Sequence, residues 1–128
     1  MTPILAFDIE TVPDVNGIRL LYDLPASLPD DEVVLFAQQK RRAQNGSDFM
    51  QHHLHQVVAI SCCMRWGQDK IHVGTIGEMH DSEEEMIAKF FDLIESHTPQ
   101  LVSWNGGGFD LPVLHYRALI HGISAARY

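Results

Sequence analysis

The sequence predicts an α/β domain with a mixed sheet, in which an antiparallel hairpin and parallel strands lie together and helices pack on the faces of the sheet. Three observations predict it: an apolar run near the start, two β-rich runs separated by a turn, and a later alternation of helix and strand signals. This order is typical of mixed α/β sheets. The 128 residues, 45% of them hydrophobic, are enough for one domain and too few for two.

The first predicted elements are a buried strand and a helical region inserted after it. The strand is the apolar run 4–9, and residues 11–14 (TVPD) break it. The helical region spans about residues 17–50. Within it, the acidic residues 30–32 suit the start of a helix and the basic residues 40–42 suit its end, because both groups match the helix dipole.

A hairpin and an amphipathic helix follow. Residues 56–66 are apolar and β-branched, residues 70–76 alternate polar and apolar side chains, and a Gly-Gln-Asp turn joins the two runs. Ser82 and Glu85 have the spacing of a capping box, and apolar residues then recur at helical intervals. We therefore expect a helix that starts after Ser82, packs on the sheet and is ended by Pro99.

A short strand and a glycine-rich loop lead into the last predicted helix. Residues 101–104 (LVSW) predict a short buried strand, and residues 105–109 (NGGGF) predict a flexible loop. Asp110 is expected to cap a helix that ends at Gly122. Glycines before a carboxylate permit the backbone to approach a ligand closely, so this junction is a candidate site.

Two candidate site residues lie at the end of the first strand. Asp8 and Glu10 are two positions apart, so their side chains project from one face of the strand, about 7 Å apart at the backbone. Two carboxylates that leave an apolar strand repel each other unless a cation pairs with them. Oxygen ligands with open positions suit Mg²⁺ or Mn²⁺. The alternative is that both acids simply face solvent.

Asp110 is the third candidate, and it also has alternatives. It could serve only as the N-cap of the last helix after a flexible loop. The loop could instead cradle a phosphate, but it matches neither the G-x-G-x-x-G pattern nor the lysine-containing P-loop. An aspartate at its end would also repel phosphate unless a metal ion lay between them.

Together, the two acidic segments resemble the motifs of a nuclease superfamily. FDIET (7–11) and NGGGFDLP (105–112) resemble the first and second exonuclease motifs of the DEDD superfamily. The likeness is greatest to predicted 3′→5′ exonucleases related to the proofreading domain of B-family DNA polymerases, and LHQVVAIS (54–61) is similar to that family's second strand. The resemblance implies an RNase H-like fold and an enzyme that hydrolyses phosphodiester bonds at the 3′ ends of single-stranded DNA or RNA.

The resemblance also implies a role for each acid at a two-metal site. Asp8 would bridge two Mg²⁺ or Mn²⁺ ions, Glu10 would bind one of them, and Asp110 would bind the other. Three further residues would line the strand-binding cleft: Thr11, Asn105 and Phe109. The aromatic ring among them would stack on a terminal base.

The sequence departs from the superfamily in its third motif. No Tyr-x3-Asp or His-x4-Asp spacing occurs, so the fourth acid is missing and Asp110 is the last carboxylate side chain. We therefore expect a C-terminally truncated form, in which residues 1–128 make a single, partial exonuclease-like domain with little or no nuclease activity. One metal ion would lack a ligand. The alternative function is a catalytically incomplete nucleic-acid-binding or interaction module.

Partners and compartment are expected from the missing motif and from the composition. Truncation would leave apolar surface uncovered on the last strand and helix, where a second copy of the chain could bind. The net charge of −8 weighs against nucleic-acid binding, although cations held by the acids can offset it. No apolar run approaches the ~20 residues of a membrane helix, so a cytoplasmic protein without a membrane partner is expected. A third interpretation, an ordinary α/β domain with incidental acids, stays open.

Overall fold

Residues 2–125 are described by the structure, a computed structural model, and they have the predicted order of strand, helices, hairpin, helix, strand and helix. The elements along this part of the chain are β1 (Ile4–Pro13), α1 (Val15–Tyr22), α2 (Asp30–Asn45), β2 (His55–Trp66), β3 (Lys70–Thr75), α3 (Glu83–His97), β4 (Gln100–Val102) and α4 (Asp110–Ile120). A 3₁₀ turn at His52–Leu54 precedes β2. The predicted α/β class is confirmed.

The sheet has the strand order β3-β2-β1-β4. β1 and β4 are parallel, with Ile4 opposite Gln100 and Ala6 opposite Val102. β2 and β3 form the predicted antiparallel hairpin around a turn at residues 67–69. β4 is so short that β1 continues well beyond Ala6, its last residue paired with β4, and this continuation carries the candidate acids Asp8 and Glu10.

Two compact units make up the described chain, and the sheet, α3 and α4 belong to the unit formed by residues 2–11 and 57–125. Its core packs one face of the sheet against α3 and α4. β1 contributes the alternate residues Leu5, Phe7 and Ile9 to this core, as a strand with one buried face does. The rings of Phe7 and Phe90, on α3, lie 5.2 Å apart between centroids.

The second unit, Val12–Gln56, contains α1 and α2, which contact each other. Its small core consists of five buried residues: Ile18, Val33, Ala37, Met50 and Leu54. The Asp14 carboxylate caps α1 by accepting a hydrogen bond of 3.1 Å from the Gly17 N–H. The helices predicted in this region are confirmed, with α1 beginning slightly before residue 17, while the organisation as one domain with an insertion stays a prediction.

Local signals set the ends of the longer helices as predicted. The Ser82 hydroxyl accepts a hydrogen bond of 3.2 Å from the Glu85 N–H at the start of α3. α2 has three acids in its first turn and is followed by Gly46, whose φ of 79° is in the left-handed region that favours glycine. None of the helices within residues 2–125 is long and apolar enough to cross a membrane.

Two strand predictions are wrong in their extent. β1 continues to Pro13, through residues expected to break it, because proline is tolerated at the end of a strand where its missing N–H is not needed. β4 covers only Gln100–Val102 and lies at the edge of the sheet rather than in its interior. Val102 is therefore 50% exposed, and Trp104, which lies beyond the strand in a turn, is 95% exposed.

Candidate active site

β1 places two of the three predicted acids. Side chains alternate between the faces of a strand, and Phe7 and Ile9 are buried in the core. Asp8 and Glu10 therefore project from the opposite face, where both are exposed. The spacing predicted this shared face, and the apolar residues between the acids enforce it.

The third acid reaches β1 from the start of α4. Asp110 is only 4% exposed, and its carboxylate accepts hydrogen bonds from the Ser103 hydroxyl, at 3.2 Å, and from the backbone N–H of Ile9. The prediction that Asp110 caps α4 is wrong, because Phe109 occupies the N-cap position and Asp110 is the first helical residue. Its side chain instead joins α4 to the stretch of β1 beyond the end of β4.

The loop before Asp110 is a set of hydrogen-bonded turns. The carbonyl of Asn105 accepts from the N–H groups of Gly108 and Phe109, at 3.0 and 3.1 Å, and the carbonyl of Gly106 accepts from Leu111 at 2.8 Å. Asn105 has a positive φ of 54°, which asparagine tolerates better than most residues. These bonds hold the start of α4 in a defined direction.

Gly106 allows a close approach within this loop. It is buried, and a Cβ at this position would lie 2.7 Å from the Cβ of Ser103, nearer than two such atoms can pack. A Cβ on the neighbouring Gly107 would meet nothing within 4 Å. The absent side chain of Gly106 therefore lets Ser103 stay where its hydroxyl reaches Asp110.

The charge of Asp8 acts on the Asp110 carboxylate. Burial raises the pKa of Asp110, the hydrogen bond from Ser103 opposes that rise, and the negative charge of Asp8 raises the pKa further. Two carboxylates that repel each other in a partly buried place form a donor set that suits a divalent cation with oxygen ligands. The oxygen donors of Asp8 and Asp110 suit Mg²⁺ or Mn²⁺ chemically, and the metal site itself stays a prediction.

Asp8, Glu10 and Asp110 do not form one compact metal-binding group in the described part of the chain. Within residues 2–125, no three His, Cys, Asp or Glu side chains are grouped closely enough to hold a metal ion. The physical reason lies in the strand, because same-face neighbours are about 7 Å apart at the backbone and nothing draws the exposed Glu10 side chain toward Asp8. Among the three predicted acids, the structure shows an electrostatic interaction between Asp8 and Asp110, and their role as a site stays a prediction.

Comparison with protein families identifies the class of the chain. The sequence model of a family described as predicted 3′-5′ exonucleases related to the exonuclease domain of PolB matches residues 47–128, more than half of the chain. The chain belongs to this family. The resemblance drawn from the two acidic motifs is thereby confirmed at the level of the family.

The relatives of this exonuclease-family chain are much longer proteins. DNA polymerase 1 of Sulfolobus acidocaldarius is 40% identical over 42 residues, which cover 33% of this chain and 5% of that protein. DNA polymerase 1 of Sulfurisphaera ohwakuensis is 46% identical over 44 residues, which cover 34% of this chain and 5% of that protein. The matched segment is thus a small part of each curated relative.

A solved structure is similar to nearly the whole chain. The family B DNA polymerase from the hyperthermophilic archaeon Pyrobaculum calidifontis aligns with a TM-score of 0.52 and 21% identity, over 98% of this chain and 12% of that one. At this identity the likeness concerns the fold, and it agrees with the mixed α/β sheet described above.

The three residues predicted to contact substrate lie at different places in this exonuclease-family fold. Thr11 is half-buried near the end of β1, and Asn105 is exposed in the turn before α4. Phe109 is half-buried and packs against the main core, so only part of its ring is open to a ligand. Their substrate contacts stay predictions.

Sequence reasoning missed Ser103 and an open depression beside Asp8. The sequence around Ser103 predicted only a buried strand, and no local pattern marks a hydroxyl that bonds seven residues ahead. The depression has a volume of about 530 Å³ and lies on the face of Asp8, between residues of β1, β2 and β3. Its signal in the sequence is slight: small residues such as Ala6, Ser61 and Gly74 occur where these strands line it.

Proposed function

We propose that this chain is a metal-dependent 3′→5′ exonuclease domain that hydrolyses phosphodiester bonds at the 3′ ends of single-stranded DNA or RNA. The observation that carries the proposal is the electrostatic interaction of Asp110, at the start of α4, with Asp8, on β1, although the two lie far apart in sequence. Membership of an exonuclease family supports the reaction class. The relatives' DNA polymerase names support DNA as the first substrate to test.

The proposed catalytic and metal-binding residues are Asp8, Glu10 and Asp110, with Mg²⁺ or Mn²⁺ as the cofactor. When bound, the cations supply water activation and charge neutralisation at the scissile phosphate. Asp110 is suited to a fixed ligand role, because Ser103 and the Ile9 N–H orient its carboxylate. Asp8 is exposed beside it, so a substrate phosphate can approach from the open face of the sheet. The exposed Glu10 would complete the donor set from the next position on that face.

The depression beside Asp8 supports a place for the substrate. Its volume of about 530 Å³ is within the range of nucleotide-sized ligand sites. Ala6 and Val73 give it apolar walls that suit a nucleobase, while Asp8 lies at its margin. We propose that the strand end lies along this face, with Thr11, Asn105 and Phe109 contacting nucleotides farther along.

The test is the release of nucleotides from a 5′-labelled single strand, followed on a sequencing gel. We expect shortening from the 3′ end with Mn²⁺ or Mg²⁺ and none with EDTA, because the acids repel phosphate when no cation is bound. Asp8→Asn should abolish the shortening, while Asp92→Asn, a change of an exposed acid on α3, should leave it intact. Equal activity of wild type and Asp8→Asn would contradict the proposal.

A second candidate function is a nucleic-acid-binding module that does not turn over. The observation favouring it is that Asp8, Glu10 and Asp110 do not form a group close enough to hold a metal ion within the described part of the chain. This candidate predicts Mn²⁺-dependent binding of a single strand, measured by fluorescence anisotropy, with no product on the gel. Binding together with shortening would favour the enzyme, and binding alone would favour the module.

Self-association is part of the proposal for partners. Four large apolar side chains at the end of β4 and along α4 are at least half exposed: Val102, Trp104, Leu119 and Ile120. Exposed large apolar side chains favour contact with another protein surface. We propose a second copy of the chain as that partner, which light scattering at increasing concentrations would show as a dimer. A constant monomer mass would exclude it.

A further inference from the structure

A buried ion cluster joins α3, α4 and β2 away from the acids of the proposed site. The Glu83 carboxylate accepts from the Arg117 Nε, 3.0 Å from each oxygen, and from its terminal nitrogen at 2.6 Å. It also accepts from the Val57 N–H at 2.6 Å and lies 2.7 Å from the His121 Nε2. The side chains of Glu83 and Arg117 are only 4% and 5% exposed.

This pair is better suited to fixing positions than to adding stability. Removing two charges from water costs several kcal/mol per ion, so a buried pair is often no more stabilising than apolar residues of the same size. Its hydrogen bonds, however, are directional, and an arginine fork accepts a carboxylate in few orientations. The cluster therefore constrains how α4 lies against α3 and β2.

Arg117 and Asp110 lie on the same face of α4. They are seven residues apart, which is two helical turns and about 10 Å along the axis. The buried residues of the helix form one stripe that these two charged residues share with Val113, Leu114 and Ala118. Apolar contacts are non-directional, so the middle of the stripe tolerates small rotation and sliding of α4. The polar contacts at the two ends do not.

Movement of α4 would act directly on the proposed site. Asp110 is the first residue of the helix, so its carboxylate follows any shift of the helix start. A shift of about 0.5 Å is enough to spoil a metal-binding geometry. It would also lengthen the hydrogen bonds that Asp110 accepts from Ser103 and from the Ile9 N–H.

We propose that Glu83 and Arg117 are positioning residues, which set the register of α4 and so hold the Asp110 carboxylate at β1. The part of this inference that concerns cation binding rests on the proposed function. The part that concerns the hydrogen bond between Asp110 and Ile9 is independent of the proposed function. This hydrogen bond can be tested without any cation.

The decisive variant is Glu83→Gln/Arg117→Met, which removes both charges together. The glutamine can still accept from the Val57 N–H, so this backbone donor keeps its partner, and neither member of the Glu83–Arg117 pair is left behind as an unpaired buried charge. We expect a folded protein in which the Ile9 amide exchanges its hydrogen on the order of tenfold faster, measured by NMR. We also expect Mn²⁺ to bind about tenfold more weakly by calorimetry, as is typical when a residue that orients a metal ligand is changed.

The matched control is Lys89→Met. It breaks an ion pair between the half-exposed Lys89 on α3 and Asp81 that does not reach α4, so the Ile9 exchange rate and the Mn²⁺ affinity should both equal those of wild type. Arg117→Lys is the second variant, to be used even if the double variant does not fold. It keeps the charge but loses the forked contact, and it should move both quantities in the same direction by a smaller factor.

The two proposals fail separately in this experiment. If the wild-type chain binds no Mn²⁺, the proposed function is wrong. The hydrogen-exchange rate of the Ile9 amide still tests the positioning role in that case. Wild-type exchange at Ile9 in a folded double variant, or in Arg117→Lys, overturns the positioning role whatever the metal does. Free exchange of the Ile9 amide in the wild type would also overturn the positioning role.

Discussion

The two ends of α4 each carry a buried charged contact, and the two are built in opposite ways. At the later end, the Glu83 carboxylate faces Arg117 and accepts several hydrogen bonds, so its charge is compensated. At the starting end, the Asp110 carboxylate accepts from Ser103 and from Ile9 but lies beside a second acid, Asp8. One end is complete within the chain, while the other has a surplus of negative charge.

The difference separates a contact that maintains the fold from one that suits a functional site. A compensated buried pair resists change, because removing one partner leaves the other charged and desolvated. An acid held beside another acid costs stability until a cation arrives, and such a cost is common at functional sites. Removing a charge should therefore change the free energy of unfolding in opposite directions at the two ends of α4.

The largest effect is expected when the compensated end is broken on one side only. Arg117→Met should lower the free energy of unfolding by about 3–5 kcal/mol, because Glu83 stays buried without its cation. Urea denaturation measures this. Lys89→Met, which breaks the ion pair of the half-exposed Lys89 with Asp81, is the control and should lower the midpoint much less. A small loss for Arg117→Met would mean that the two ends do not differ in this way.

The next effect is expected at the loop that supports Asp110. Gly106→Ala should cost about 1–3 kcal/mol, because the new Cβ would lie 2.7 Å from the Cβ of Ser103 and must push it away. Mn²⁺ affinity should fall as well, since Ser103 orients Asp110. Gly107→Ala is the matched control, because its Cβ meets nothing within 4 Å. If both variants denature alike, close packing at Gly106 does not support the site.

The elements that sequence predicted best are those with local signals. The period of two along β1 predicted that Asp8 and Glu10 share a face, since the buried Phe7 and Ile9 leave them no other. Ser82 predicted the start of α3, because the cap and its partner are three residues apart. In such cases the residues that decide the structure lie within one or two turns of each other.

The contacts that sequence could not predict connect distant segments. Glu83 in a first turn and Arg117 in a last turn both have the charge that the helix dipole favours, so nothing local marks them as a pair 34 residues apart. The meeting of Asp110 with Ile9 depends on how α4 returns to β1. The sequence likewise predicts a buried strand at Trp104. The exposure of this residue could not be predicted, because it depends on β4 being an edge strand that ends early.

At the uncompensated end, removing a charge should stabilise the protein. Asp110→Asn keeps one oxygen that can accept from the Ile9 N–H, and its NH₂ group can donate to the Ser103 hydroxyl, while the repulsion with Asp8 is removed. Without metal ions, we expect the free energy of unfolding to rise by roughly 0.5–2 kcal/mol, the usual range when a functional acid is relieved. Mn²⁺ should raise the melting temperature of wild type and not of this variant. Destabilisation by Asp110→Asn would show that the acid is as well compensated as Glu83.

The smallest effect is the pH dependence of the difference in free energy of unfolding between Asp110→Asn and wild type. Burial, together with the charge of Asp8, raises the pKa of Asp110 in the folded state, so the folded chain binds this proton more tightly than the unfolded chain does. Stability from this group is therefore fully present at pH values below the ordinary carboxyl pKa and is lost as pH rises through the raised pKa. In urea denaturation without metal, the free energy of unfolding of Asp110→Asn minus that of wild type should increase with pH between the ordinary and the raised pKa of Asp110. Above the raised pKa, this difference should stay constant. A difference that instead shrinks as pH rises would mean that the folded state favours the ionised carboxylate, and that the two ends of α4 are compensated alike.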